Sequence, residues 1–220
     1  YYFWCLKSSN RTILVDAGVS PRLAGEKTLA GYLDPVRVLE GIDVYPDDVH
    51  QVILTHLHWD HVDGITQFPH AKIYVQRAER DFWLYDDMAL RSPFTFFLNE
   101  QSRHNLKSAD DEGRLTAING DQEILPGIKC LLAPGHSIAL QAVAVNTHKG
   151  IAILGSDCAH LFRNYEQEWP SALIIDMVAW VNSLEKLKSS ASLPELLFPG
   201  HDPLMTSNYS EVAPGITRLV

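Results

Sequence analysis

The sequence predicts a mixed α/β (α+β) fold, a system of mixed β-sheets with helices on the outside. Three observations carry this. Short apolar, β-rich runs alternate with helical stretches, and several follow one another closely enough to form hairpins. The chain has 220 residues and 46% hydrophobic content, enough for one domain with a buried core and too little for two. Each histidine-bearing motif follows directly on an apolar strand, and strand ends on a rigid sheet are where catalytic loops are commonly mounted.

The elements follow in chain order. Residues 1–6 and 12–15 are apolar runs with Asn10 between them, and they read as a hairpin. The chain begins without Met, inside the first run, so the single domain expected over 1–220 has an N-terminal strand expected to be incomplete. Asp16-Ala17-Gly18 ends the second strand. Asp34 is placed as an N-cap with Pro35 at the first helical position. Pro46-Asp47-Asp48 is a turn, and 51–54 is a strand that runs straight into a histidine cluster. Residues 72–75 read as a strand and 76–85 as a helix. The stretch 88–98 is rich in aromatics, and 99–113 is polar and expected to be loop. Strands are expected at 115–118, 128–132, 142–145 and 151–154. The strongest helix is expected at 173–187, and a last strand at 196–198 leads into Pro199-Gly200-His201.

Composition narrows the function. The net charge is -9 and the Lys and Arg residues are scattered, so a nucleic-acid partner is not expected. An acidic balance fits a small, neutral or weakly charged substrate. No apolar run approaches the roughly 20 residues of a bilayer span, so no membrane partner is expected. The three cysteines, Cys5, Cys130 and Cys158, are too sparse for a disulfide framework, and a cytoplasmic location is the expectation.

The chemistry concentrates in His56-Leu57-His58-Trp59-Asp60-His61. Neutral imidazoles with a carboxylate suit Zn, Mn, Fe or Co. A loop leaving a strand turns alternate side chains to one point, so His56 and His58 can grip one ion while Asp60 and His61 grip its neighbour. The bland alternative is a solvated, His-rich loop. Three further segments share one form, an apolar strand, a tight turn and a candidate ligand: 132–136 ending in His136, 153–157 ending in Asp157, and 198–201 ending in His201. Taken singly, each reads as a turn with a solvated polar residue. Taken with the cluster, they read as further ligands.

His56, His58, Asp60 and His61, followed by His136, Asp157 and His201, resemble the ligand set of dinuclear metallo-β-lactamase-fold hydrolases. The resemblance runs from Val15-Asp16-Ala17-Gly18 to Gly200-His201-Asp202. It implies an αββα sandwich of two mixed β-sheets flanked by helices. It also implies two divalent metal ions per chain, zinc first, with Mn, Fe or Co also suited. One ion falls to His56, His58 and His136, and the other to Asp60, His61 and His201. Asp157 bridges the two, and Asp16 braces the ligand loop. Within the superfamily the pattern is most similar to N-acyl homoserine lactonases and related lactonases. Tyr74-Val75-Gln76-Arg77 and Pro134-Gly135-His136-Ser137 add to the likeness. Two positions depart from it. His160 stands where those lactonases carry a tyrosine that contacts the substrate carbonyl, and Ala139 stands where a glycine is usual.

The expected activity is opening of a lactone, or cleavage of a carboxylic ester, by a hydroxide shared between the ions, as in a quorum-quenching lactonase. Asp60 moves the proton to the leaving group, and His160 hydrogen-bonds the carbonyl or its oxyanion. The alternative for His160 is a histidine that braces a ligand or faces solvent. Trp59, Phe94, Phe96 and Phe97, with Trp83 and Met88, are candidates for the wall of an apolar substrate pocket. The alternative for these is core packing or a contact in a homodimer. Cys158 reads as structural. A thioesterase, aryl esterase or phosphotriesterase keeps the same metal chemistry. A nuclease of this fold calls for a basic surface, and a di-iron reductase carries a carboxylate where His58 stands. A non-catalytic relative would have lost ligands.

Overall fold

The computed structural model describes residues 1–8 and 11–220, so the Asn10 turn lies outside the described residues. The chain is mixed α/β and resolves into two compact units. One comprises Tyr1–Val75, Arg80–Ala117 and Glu211–Thr217, the other Gln76–Glu79, Ile118–Ser210 and Arg218–Val220.

The first unit is built on a five-stranded sheet. Its strands are β1 (Trp4–Lys7), β2 (Thr12–Val15), β3 (Gln51–Ile53), β4 (Lys72–Gln76) and β5 (Leu115–Ile118), in that order across the sheet. β1 and β2 pair antiparallel, as the hairpin reading expects, while β2, β3 and β4 run parallel. The inner strands read as apolar runs because parallel strands are covered on both faces. Leu14, Val52 and Ile73 are accordingly buried in one core with Phe68, Trp83 and Leu106. Asp34 caps the helix Pro35–Glu40 by accepting from the Val36 N–H at 3.2 Å, as expected.

The segment expected to be loop is instead a helix, Glu100–Asp111. Leu106 is its only large aliphatic residue, so no apolar stripe announces it. Its buried face is held by polar groups. Asn99 caps it by accepting from the Ser102 N–H at 2.8 Å, the Ser102 hydroxyl donates to Asp63 at 2.7 Å, and Arg103 donates to the carbonyls of Trp83 and Ala89.

The second unit carries a second five-stranded sheet. β6 (Gln122–Leu125), β7 (Ile128–Leu132), β8 (Gln141–Thr147), β9 (Gly150–Ser156) and β10 (Leu197–Pro199) lie in the order β10-β9-β8-β7-β6. β6 to β9 are antiparallel neighbours and β10 joins β9 in parallel, so this sheet too is mixed. The helix Met177–Ser190 packs on it through Trp180, Leu184 and Leu187. It starts four residues later than its apolar pattern suggests. Asp176 caps it by accepting from the Ala179 N–H at 2.9 Å. The preceding residues bond elsewhere: the Ile175 N–H donates to the Gly135 carbonyl at 2.8 Å. Among the described residues, no helix is long and apolar enough to cross a membrane.

Candidate metal centre

In the first unit, β3 delivers the chain into Leu54-Thr55-His56, and the cluster closes into one turn of helix, Trp59–Val62. The turn is tied to the end of β2: the Asp16 N–H donates to the Ile53 carbonyl at 2.8 Å and the Ala17 N–H to the His61 carbonyl at 2.8 Å. Asp16 itself sits at φ 63, the left-handed region that aspartate tolerates better than most residues. Its buried carboxylate accepts from the Thr55 N–H at 2.8 Å and from the Thr55 hydroxyl at 3.0 and 2.9 Å. It also lies 2.7 Å from His61 Nδ1. Burial pushes the Asp16 carboxyl up, while His61 and then Thr55 pull it the other way.

These contacts set tautomers. Thr55 has one hydroxyl hydrogen and gives it to Asp16, so its oxygen is left to accept from His56 Nδ1 at 3.1 Å. His61 donates its Nδ1 proton to Asp16. Both imidazoles therefore turn Nε2 forward with its lone pair, the arrangement a metal ligand needs. One buried carboxylate orders two candidate ligands. Asp16→Asn is accordingly expected to weaken divalent-metal affinity about 10- to 100-fold. Competition with a chelating dye measures this, and an unchanged affinity would contradict the bracing role.

His58 is fixed by packing. Phe97 stacks on its ring at 4.7 Å and Trp83 meets it edge-on at 5.3 Å. The His56 ring centroid is 4.4 Å from that of His58 and 4.2 Å from that of His61, and Asp60 Oδ2 is 3.5 Å from His61 Nε2. The four expected ligands of this unit are thus brought together and buried. The aromatic candidates separate. Phe97 lies against His58, and Phe94 packs inward against Phe82 and Trp83. Trp59 is buried with Val19, Leu23 and Ala24, and Phe96 is 66% exposed. Asp63 escapes a sequence reading although it stands only two residues after the cluster. It accepts from the Ser20 N–H at 3.0 Å, from the Ser20 hydroxyl and from Ser102, and so anchors the loop from behind.

In the second unit, the end of β7 turns at Gly135 to place His136. Gly135 adopts φ 136, and a Cβ there would stand 2.6 Å from the Trp180 Cα, so only glycine fits. His136 Nδ1 lies 2.8 Å from the Leu173 carbonyl. A carbonyl only accepts, so Nδ1 carries the proton and Nε2 is again left with the lone pair. Glu79, buried and unremarkable in sequence, accepts from the Ser137 hydroxyl at 2.5 Å and from the Ala139 N–H at 2.7 Å, which holds the far side of the same loop.

Asp157 leaves the end of β9, and His201 leaves the end of β10. Their loops are joined by backbone bonds from Gly200 to Ala159 and from His201 to His160, each 2.9 Å. A Cβ at Gly200 would collide with Asp157 Oδ1, which explains the glycine before the histidine. Asp157 Oδ2 lies 3.4 Å from His136 Nε2 and 3.1 Å from His160 Nε2, and Oδ1 lies 3.0 Å from His201 Nε2. The expected ligands of this unit also converge, and His160 converges with them. Cys158 is buried. Burial, and then the neighbouring Asp157, push its thiol up to about 12, so it stays protonated and packs as an apolar group.

Both units therefore gather imidazole nitrogens and carboxylates of the kind that hold borderline divalent ions. The family model of the Metallo-beta-lactamase superfamily matches residues 1–138. An N-acyl homoserine lactonase of Bacillus cereus is 29% identical over 217 residues, which cover 90% of this chain and 80% of that enzyme. The crystal structure of a quorum-quenching N-acyl homoserine lactone lactonase aligns with a TM-score of 0.73 and 26% identity, over 96% of this chain and 82% of that one. An N-acyl homoserine lactone hydrolase with N-hexanoyl-L-homoserine bound at its catalytic metal centre aligns with a TM-score of 0.71 and 25% identity, over 96% and 84%.

Proposed function

We infer the activity from one premise: the chain belongs to the metallo-beta-lactamase superfamily. It is a metal-dependent hydrolase that opens an N-acyl homoserine lactone or a closely related lactone. In this reading His56, His58 and His136 hold one divalent ion, Asp60, His61 and His201 hold a second, and Asp157 serves both. Zinc is the first choice for these donors. The observation that carries the reading is the orientation of the histidines. His56, His61 and His136 each engage a neighbour through Nδ1, so the ligand atom Nε2 is prepared in advance.

Divalent ions at these residues would supply Lewis acidity toward the lactone carbonyl and water that ionises near neutral pH. The chain does the rest. Asp60, buried beside His61, carries the proton to the departing ring oxygen. Phe97 and Trp83 keep the His58 ring from rotating away. Phe96, exposed next to Phe97 at a centroid distance of 5.4 Å, presents the aromatic face that meets an acyl chain, with Phe97 behind it. Phe94 packs on Trp83, which in turn meets Phe97.

A substrate panel tests the reading. Metal-loaded protein is assayed on homoserine lactones of several acyl lengths, simple lactones, aryl esters, thioesters, phosphotriesters and β-lactams. The highest kcat/KM is expected on acylated homoserine lactones. Turnover of thioesters or phosphotriesters with none of any lactone would overturn the substrate class.

A further inference from the structure

We propose that His160 is itself a metal ligand, coordinating through Nε2 the ion held by His136 and Asp157. The proposal rests on the metal-dependent reading above and adds a ligand to it.

The first argument is distance. Two ligand atoms on one ion, each about 2.0–2.2 Å from it, stand roughly 3.0–3.5 Å apart at the angles of tetrahedral or more crowded coordination. The separations from Asp157 Oδ2 to His160 Nε2, 3.1 Å, and to His136 Nε2, 3.4 Å, are both edges of such a polyhedron. The ligand atoms of His136, Asp157 and His160 all lie within 4.8 Å of one another, as those of a three-donor site must.

The second argument is placement. His160 follows Asp157 by one turn of chain, and its carbonyl accepts from the His201 N–H at 2.9 Å, so its backbone is fixed relative to both. Its ring meets those of His136 and His201 edge-on, with centroids 5.4 and 4.9 Å away and interplanar angles of 69° and 81°. The side chain remains only 24% exposed.

The third argument is chemical. A phenol at this position binds a divalent ion poorly unless ionised, and serves better as a hydrogen-bond donor to a carbonyl. A neutral imidazole is a strong ligand for the same ions. Once its Nε2 lone pair is committed to an ion, His160 no longer offers an N–H to the substrate from that atom. Its role moves from carbonyl recognition to setting the coordination number of one ion.

Cobalt(II)-substituted full-length protein tests this without reference to turnover. An imidazole bound through Nε2 retains an Nδ1 proton that exchanges with solvent and is strongly shifted by the paramagnetic ion in the proton NMR spectrum. His160→Gln keeps a polar amide within reach of Asp157 but removes the imidazole. It is expected to lose one shifted exchangeable signal and to show stronger visible cobalt absorption, because fewer ligands surround the ion. His160→Asn, with circular dichroism on both variants, guards against a folding artefact. If a folded variant keeps every shifted signal and the wild-type absorption, His160 is not a ligand. Uptake of two cobalt ions with no signal lost defeats this assignment and leaves the dinuclear reading standing. Uptake of one ion with the signal lost supports His160 and defeats the dinuclear reading. Folded wild-type protein that takes up no cobalt overturns both.

Discussion

Stripping divalent metal with a chelator is expected to abolish lactone hydrolysis, a loss on the order of 10⁶-fold or more, while leaving the fold in place. The size of the effect follows from water. Its pKa falls to about 7 on a suitable ion, and no side chain among the candidate ligands replaces that. The survival of the fold follows from the site's own wiring. His56, His61 and His136 are oriented by Thr55, Asp16 and the Leu173 carbonyl, and Asp63 and Glu79 pin the loops from behind. These bonds do not require the metal. Circular dichroism before and after chelation, with activity assayed on readdition of zinc or manganese, checks both halves. Full activity with no detectable metal would contradict the account.

Asp60→Asn is expected to lower kcat about 10²- to 10⁴-fold with KM little changed, the range typical of a removed general acid. The amide has nearly the shape of the carboxylate and keeps an oxygen donor, so the metal content should be retained. Retention separates the two roles proposed for this residue. A variant that has lost metal reports on Asp60 as a ligand, and one that keeps metal and turns over slowly reports on proton transfer. Unchanged kcat in a fully loaded variant would assign the proton to another group.

The candidate ligand residues were legible in the sequence because they are of rare types in a dense and ordered pattern. Three histidines and an aspartate within six residues, followed by three strand-turn-ligand segments, leave little room for another reading. Of their supports, Asp16 was legible through the family resemblance and the others were not. Thr55, Asp63 and Glu79 are ordinary residues whose importance lies in which atoms they meet across the fold, such as Glu79 and Ala139, sixty residues apart in sequence. The helix Glu100–Asp111 was hidden for a related reason: polar bonds from Ser102 and Arg103 take the place of an apolar stripe. The helix beginning at Met177 was legible as apolar, but its start was not. Residues ahead of Asp176 carry the right composition and are held by the Gly135 loop instead. His160 was noticed as a departure from a pattern, and its distance from Asp157 gives that departure a chemical meaning.

The central claim is a two-ion hydrolase, and a zinc titration of metal-free protein tests it most directly. Hydrolysis of an acylated homoserine lactone is followed as zinc is added in known ratio to the chain. The account predicts that activity rises to a plateau at two equivalents per chain, with the metal content of the active protein matching. A plateau at one equivalent, or activity that does not track the metal, would contradict it.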